Sequence, residues 1–179
     1  MFEIRFRIVD DFIMLRQIET NEFDMDGGDV EGFFSLNFNG NIEGYYHDNP
    51  LGEDETGQEL LTLWFDLLID TIIQLEKSKY AALKIIETFD SWIEFTLIDN
   101  KLNISFAKLK DELSNDYIIG EPKYSFVYPE WRNVEISFNS FKQEVKDKAK
   151  GYLNIIRELN PQLLNSRIIS KLAERIKLV

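Results

Sequence analysis

The sequence contains no cysteine, which removes disulfides, thiolate metal sites and thiol nucleophiles and fits a reducing compartment. It has one histidine, His47, so a histidine-rich metal centre is also excluded. No apolar run reaches the about 18 residues that mark a membrane-spanning helix. The opening MFEIRFRIV has no basic stretch followed by an apolar block, so neither a secretory leader nor a membrane contact is expected, and the expected location is cytoplasmic. Basic residues are scarce, 20 Lys and Arg against 32 Asp and Glu, giving a net charge of -12. Nucleic acid is a poor partner for such a chain, because phosphate contacts require clustered Lys and Arg. The nucleophile elbow, phosphate-binding glycine loop, dinucleotide fingerprint and H-E-x-x-H motif are all missing, so no cofactor, no metal and no enzymatic activity are expected. Nor is there a repeat, linker or low-complexity tract.

What is present is core material. Of the 179 residues 44% are apolar, including 14 Phe, 7 Tyr and 3 Trp, enough for one domain over 1–179 and too few for two comfortable ones. The richest stretch is ELLTLWFDLLIDTIIQL, Glu59 to Leu75. As a helix it places Glu59, Thr62, Asp66, Asp70, Gln74 and Lys77 in one narrow polar file, and every other face must be covered by protein. Charge is uneven along the chain. Residues 1–122 carry 26 acidic and 9 basic side chains, whereas 123–179 carry 6 acidic and 11 basic, so the two parts are expected to attract one another within one fold.

In chain order, Phe2, Ile4, Phe6 and Ile8 alternate as one face of a strand, and FIMLRQIE from Phe12 to Glu19 reads as a second. Thr20 to Glu31 is polar and glycine-bearing, which predicts a loop. GFFSLNF and IEGYY form a hairpin. A three-residue loop, Asn39 to Asn41, would pair Phe38 with Ile42 and Phe34 with Tyr46 and keep one face apolar. His47 to Gly57 is a second acidic loop ending in a capping box, Thr56 with Glu59, that starts the central helix. Tyr80 to Thr88 reads as a strand, followed by SWIEFTLI and KLNISFAKL. A two-residue Asp99-Asn100 turn then sets Leu97 opposite Leu102, Phe95 opposite Ile104 and Ile93 opposite Phe106, leaving Glu94, Thr96, Asn103 and Ser105 on a polar face. An irregular stretch to Pro122 leads to the short strands KYSFVY and NVEISF. Ser140 and Gln143 cap a helix to about Glu158, and Asn160-Pro161 starts a last helix burying Leu164, Ile168, Leu172 and Ile176. The expected architecture is α+β, an antiparallel sheet of six to eight strands packed against the central helix and two C-terminal helices.

Few residues could carry chemistry. The acidic loop from Asp24 fails as a calcium loop, since its fifth, sixth and twelfth positions are Gly28, Asp29 and Ser35. His47 beside Asp48 could act as a general base but lacks a nucleophile. Asp66 and Asp70, one helical turn apart, could serve a carboxylate-dependent hydrolase, and the over-wide apolar face of their helix would equally suit a homodimer in an accessory role. Tyr45, Tyr46, Tyr128 and Trp131 fall near strand ends, where aromatic residues anchor partners.

Taken together, FEIRFRIV, GFFSLNFNGNIEGYY, the central helix, SWIEFTLIDNKLNISF and the final amphipathic helices resemble the small acidic immunity proteins of bacterial polymorphic and contact-dependent toxin systems. The resemblance implies a cytosolic protein that binds and neutralises a cognate, cationic toxin domain. Charge favours the same partner, since an acidic surface complements a basic cleft. The candidate contacts are Asp24, Asp26, Asp29 and Glu31 in the first acidic loop, Asp48, Glu53, Asp54 and Glu55 in the second, and Tyr45 and Trp131.

Overall fold

The structure is a computed structural model that describes residues 1–86, 88–110, 114–123 and 125–179. The fold is α+β with two antiparallel sheets. The first sheet has the order β1 (Phe2–Ile8), β2 (Glu31–Phe38), β3 (Asn41–Tyr45), with the short β4 (Glu59–Leu60) also on β2. The second runs β10 (Val134–Ser137), β7 (Lys101–Leu109), β6 (Ser91–Ile98), β5 (Tyr80–Lys84), β8 (Ile118–Ile119), with β9 (Phe126–Val127) paired to β7. Five α-helices complete the described residues: α1 (Phe12–Gln17), α2 (Thr20–Met25), α3 (Leu61–Ser78), α4 (Phe138–Leu159) and α5 (Arg167–Arg175). Strands were expected in a single sheet, but they divide over two.

The central helix is enclosed as its composition requires. Phe65, Leu68, Ile69, Ile72 and Leu75 have no exposed surface, and their core joins β1 and β2 to β5, β6 and α4. One polar group in this core is exchanged between helices: the Thr62 hydroxyl and the Tyr152 hydroxyl lie 2.7 Å apart, both buried. Burial holds the Tyr152 phenol well above its ordinary pKa, with Asp29 adding to the effect.

The β6–β7 hairpin has the expected register, Leu97 with Leu102, Phe95 with Ile104 and Ile93 with Phe106. Asp99 and Asn100 both adopt positive φ, as a two-residue hairpin turn demands. The β2–β3 hairpin differs from expectation. Its turn is the two-residue Asn39-Gly40, φ 57° and 99°, and Phe38 pairs with Asn41 while Phe34 pairs with Tyr45. The premise that β3 needs an apolar face fails, because β3 is an edge strand largely open to solvent and Ile42 is exposed, while β2 is buried on both faces. Gly44 permits this register: a Cβ there would stand 2.3 Å from the Phe34 carbonyl oxygen.

Other local expectations are corrected. FIMLRQ is a helix, with the Asp11 carboxylate accepting from Ile13 and Met14 N–H groups and with Leu15 and Ile18 buried one turn apart. Thr20–Met25, expected as loop, is also a helix. The predicted Ser140 cap lies inside α4, whose N-cap is Ser137, and Gln143 bonds Asp147 instead. Asn160 does cap the Pro161 turn, but that turn is a 3₁₀ segment and α5 starts afresh from Ser166. Accordingly Leu163 and Ile169 are buried where Leu164 and Ile168 were expected. Of the predicted strand Tyr80 to Thr88 only Tyr80–Lys84 pairs, with residue 87 outside the described residues. Residue 124 of KYSFVY lies outside them too, and within that segment Phe126–Val127 pairs.

Candidate interaction surface

The charge asymmetry is resolved inside the fold where α5 meets α3. Asp66 lies 2.8 Å from Lys171 Nζ and 2.8 Å from Arg175 Nη1, and Asp70 receives the other arm of the Arg175 guanidinium. Two aspartates of the α3 polar file are thus covered by basic residues of α5, and the Arg175 side chain is mostly enclosed. A bound cation on each aspartate leaves neither as a paired general acid and base. Nor does any hydrogen bond or ion pair link His47 to either aspartate among the described residues.

His47 organises the loop between β3 and β4. Its Nδ1 accepts from the Asn49 N–H at 3.1 Å, so the proton of the neutral ring sits on Nε2, which donates to Glu55 at 2.6 Å. Glu55 also accepts from the Gly52 N–H at 3.0 Å, and this bond, with that from His47, holds its carboxyl below the ordinary range. The imidazole packs on Phe33 and Tyr45, with ring centroids 4.9 and 5.5 Å away. Arg7 reaches over from β1 to donate to the carbonyl of Asn49 at 2.7 Å. His47 and Asp48, which together could have formed a general-base pair, do not bond one another, and Asp48 accepts from the Tyr46 hydroxyl. The loop is fixed, and Asp48, Leu51, Glu53 and Asp54 are presented from it in exposed positions.

The first acidic loop has a different job. Asp29 accepts from the N–H groups of Thr62 at 2.8 Å and Leu63 at 2.9 Å, the two donors an N-cap side chain normally satisfies. The capping box expected from Thr56 and Glu59 is absent because Glu59 and Leu60 are taken into β4, so α3 begins at Leu61. Glu59 accepts instead from the Trp64 indole N–H at 2.5 Å. Burial pushes the Asp29 carboxyl above the ordinary carboxylate range, with the hydrogen bonds from Thr62, Val30 and Leu63 pulling back. Asp24 accepts from the Arg167 N–H, at 2.9 and 3.1 Å, at the start of α5. Two of the first loop's candidate contacts are therefore committed to helix ends, whereas Asp26 and Glu31 are exposed.

Trp131 is likewise committed. Its indole N–H donates to Glu43 at 3.0 Å and its ring packs on Phe38, tying the two sheets together. Burial pushes the Glu43 carboxyl up. Tyr45 keeps 54% of its surface exposed.

Missing from the sequence reading was an apolar groove of about 400 Å³ between β1, α1, the His47 loop and α4, lined by Phe6, Ile8, Phe12, Leu51 and Ile155 with Arg7. Ile13 and Met14, on the adjoining helix, are exposed at 72% and 43%. The signal was there in FIMLRQ, where four apolar residues share a short helix that buries only Leu15. Among the described residues, Asp26, Glu31, Asp48, Glu53 and Asp54 have no lysine or arginine within ion-pair distance. No group of three or more His, Asp or Glu among the described residues is placed to hold a metal ion, and no described helix is long and apolar enough to cross a membrane.

An α+β domain with two antiparallel sheets is the class this fold defines. Comparison with protein-family models, with curated proteins and with solved structures finds no match to the chain.

Proposed function

We propose that this chain is a non-enzymatic protein-binding module, an immunity or inhibitor protein that neutralises a cationic toxin domain by covering it with an acidic surface. One observation carries the reading: the loop from His47 to Gly57 offers a partner both an apolar anchor, Leu51 at the groove, and uncompensated carboxylates, Asp48, Glu53 and Asp54. Apolar anchors ringed by charge are the usual anatomy of a specific interface. The charges speed encounter and reject partners of the wrong sign, while the groove sets the lifetime of the complex. A loop braced by His47, Glu55 and Arg7 meets a partner with little ordering cost.

The test is co-expression with the C-terminal domain of a toxin encoded beside this chain. Protection of the host cell and a stable complex are expected. Asp48→Lys with Glu53→Lys and Asp54→Lys should slow association by about tenfold or more at low salt, and Leu51→Asp should speed dissociation. Failure to bind or protect, with the wild-type protein folded, would overturn the reading.

A further inference from the structure

The polar face of the β6–β7 hairpin, opposite the face that carries Ile93 and Phe95 into the core, is walled into a cleft of about 600 Å³ with Ser78, at the end of α3, in its lining. Its centre is Glu94. Tyr80, from β5, donates to one carboxylate oxygen at 2.9 Å, and Tyr128, just past β9, donates to the other at 2.8 Å. Both phenols are held neutral well above the ordinary range, Tyr128 pushed up to about 12, by burial and by the neighbouring carboxylate. Two hydroxyl donors fill about half of the lone-pair positions of a carboxylate, so Glu94 can still accept.

Beside it the cross-strand pairs Glu94 with Ser105 and Thr96 with Asn103 set three more polar groups on the cleft floor. Ser105 is 5% exposed and accepts from the Asn133 N–H at 3.1 Å, yet its own O–H has no acceptor among the described residues. The Thr96 hydroxyl and the Asn103 amide likewise make no hydrogen bond to the described protein. Of the three only Ser105 is buried; Thr96 and Asn103 are half-exposed, so their polar groups are open to a ligand entering from solvent. Arg132 stands at the rim, its guanidinium 4.2 Å from the centre of the Tyr128 ring and without a carboxylate partner among the described residues. With Lys79 on the wall it balances Glu94 and Glu121, so the cleft carries no net charge.

We infer that this cleft is a binding site for a small neutral polyhydroxylated molecule of the size of one or two sugar rings. Charge balance disfavours a strongly ionic ligand. A hydroxyl group is both donor and acceptor, which suits a floor where Glu94 can only accept, Arg132 can only donate and Asn103, Ser105 and Thr96 do both. The volume falls in the range of ordinary small-molecule sites. The cleft shares no residue with the apolar groove and acidic loop of the partner-binding surface.

The test is an NMR titration of the ¹⁵N-labelled full chain with the methyl glycosides of glucose, galactose and mannose, and with glycine and methylammonium as charged controls. At least one glycoside should give saturable shifts confined to amides of the cleft, with Kd in the millimolar range or below. Asn103→Ala, at a half-exposed position that leaves the Glu94 pairing intact, should weaken it about tenfold, and Glu94→Gln by at least as much. No saturation by about 50 mM of every glycoside, unchanged affinity in N103A, or saturation by glycine or methylammonium alone would each overturn the assignment.

Discussion

Replacing Asp29 separates a structural carboxylate from a docking one, because this residue was a candidate contact in the sequence and is the cap of the central helix in the fold. Asp29→Ala strips acceptors from the Thr62 and Leu63 N–H groups at the first turn of α3, in a setting that water reaches poorly. Loss of an N-cap side chain costs about 0.5–2 kcal/mol, and a partly buried donor left unpaired costs about 1–3 kcal/mol, so the variant should lose about 2–3 kcal/mol. Asp29→Asn keeps one acceptor oxygen and the shape but sets an amide NH2 against one of the two N–H groups, for about 1 kcal/mol. Asp26→Ala, its exposed neighbour, should stay within about 0.5 kcal/mol of the wild type. Urea unfolding followed by circular dichroism reads all three, with a shift in midpoint at constant slope. The pH dependence supplies a sign. The folded carboxyl titrates above its unfolded value, so its share of stability is fully present below the unfolded pKa and is lost as pH rises through the folded one. The stability advantage of the wild type over D29N should therefore shrink as pH climbs through the acid range toward neutrality. An unchanged urea midpoint in D29A would refute the capping argument, and an advantage that widens with pH would refute the dominance of burial over the capping hydrogen bonds at this carboxyl.

Further outcomes can be stated briefly. Tyr152→Phe and Thr62→Val should each cost about 1–3 kcal/mol in the same urea assay, and the double variant should cost less than their sum because neither leaves the other unpaired. Arg175→Met should cost about 2 kcal/mol, since it leaves Asp66, 13% exposed, with only the outer Lys171; Lys171→Met should cost under about 1 kcal/mol. Absorbance titration of the phenols should show Tyr128 ionising late, and Glu94→Gln should bring it down toward 10, leaving the part due to burial. Because that phenol titrates later folded than unfolded, alkaline stability should fall as pH rises above the unfolded value, and Tyr128→Phe should flatten the fall.

The parts of the fold that sequence makes plain are those where local pattern and burial agree. The central helix could be read because almost every side chain of Glu59 to Leu75 demanded cover, and it received it. The β6–β7 register followed from one apolar face and one turn. Where the two sources of information diverged, the reading failed. The same logic misplaced β2 against β3, because an edge strand open to solvent has no apolar face to preserve. FIMLRQ looked extended although Asp11, Leu15 and Ile18 already had helical cap and spacing. The start of α3 was beyond reach, since its cap lies about thirty residues upstream and meets it only in the folded chain. Site residues show the same division. The polar face carrying Glu94 was legible, but Tyr80 and Tyr128 closing upon it were not, because their approach depends on how strands from distant segments are ordered.

The short segment from Asp24 to Asp29 grips the leading ends of both α3 and α5, one with each terminal carboxylate. It works as a gauge block: the length of chain between the two aspartates sets how far apart the helices begin, and with that whether Arg175 can reach Asp66 and Asp70 about two turns further on. An extra residue beside Gly27 or Gly28 would leave composition, charge and core untouched and yet detune that alignment, so this stretch should tolerate changes of side chain at Asp26 far better than changes of length.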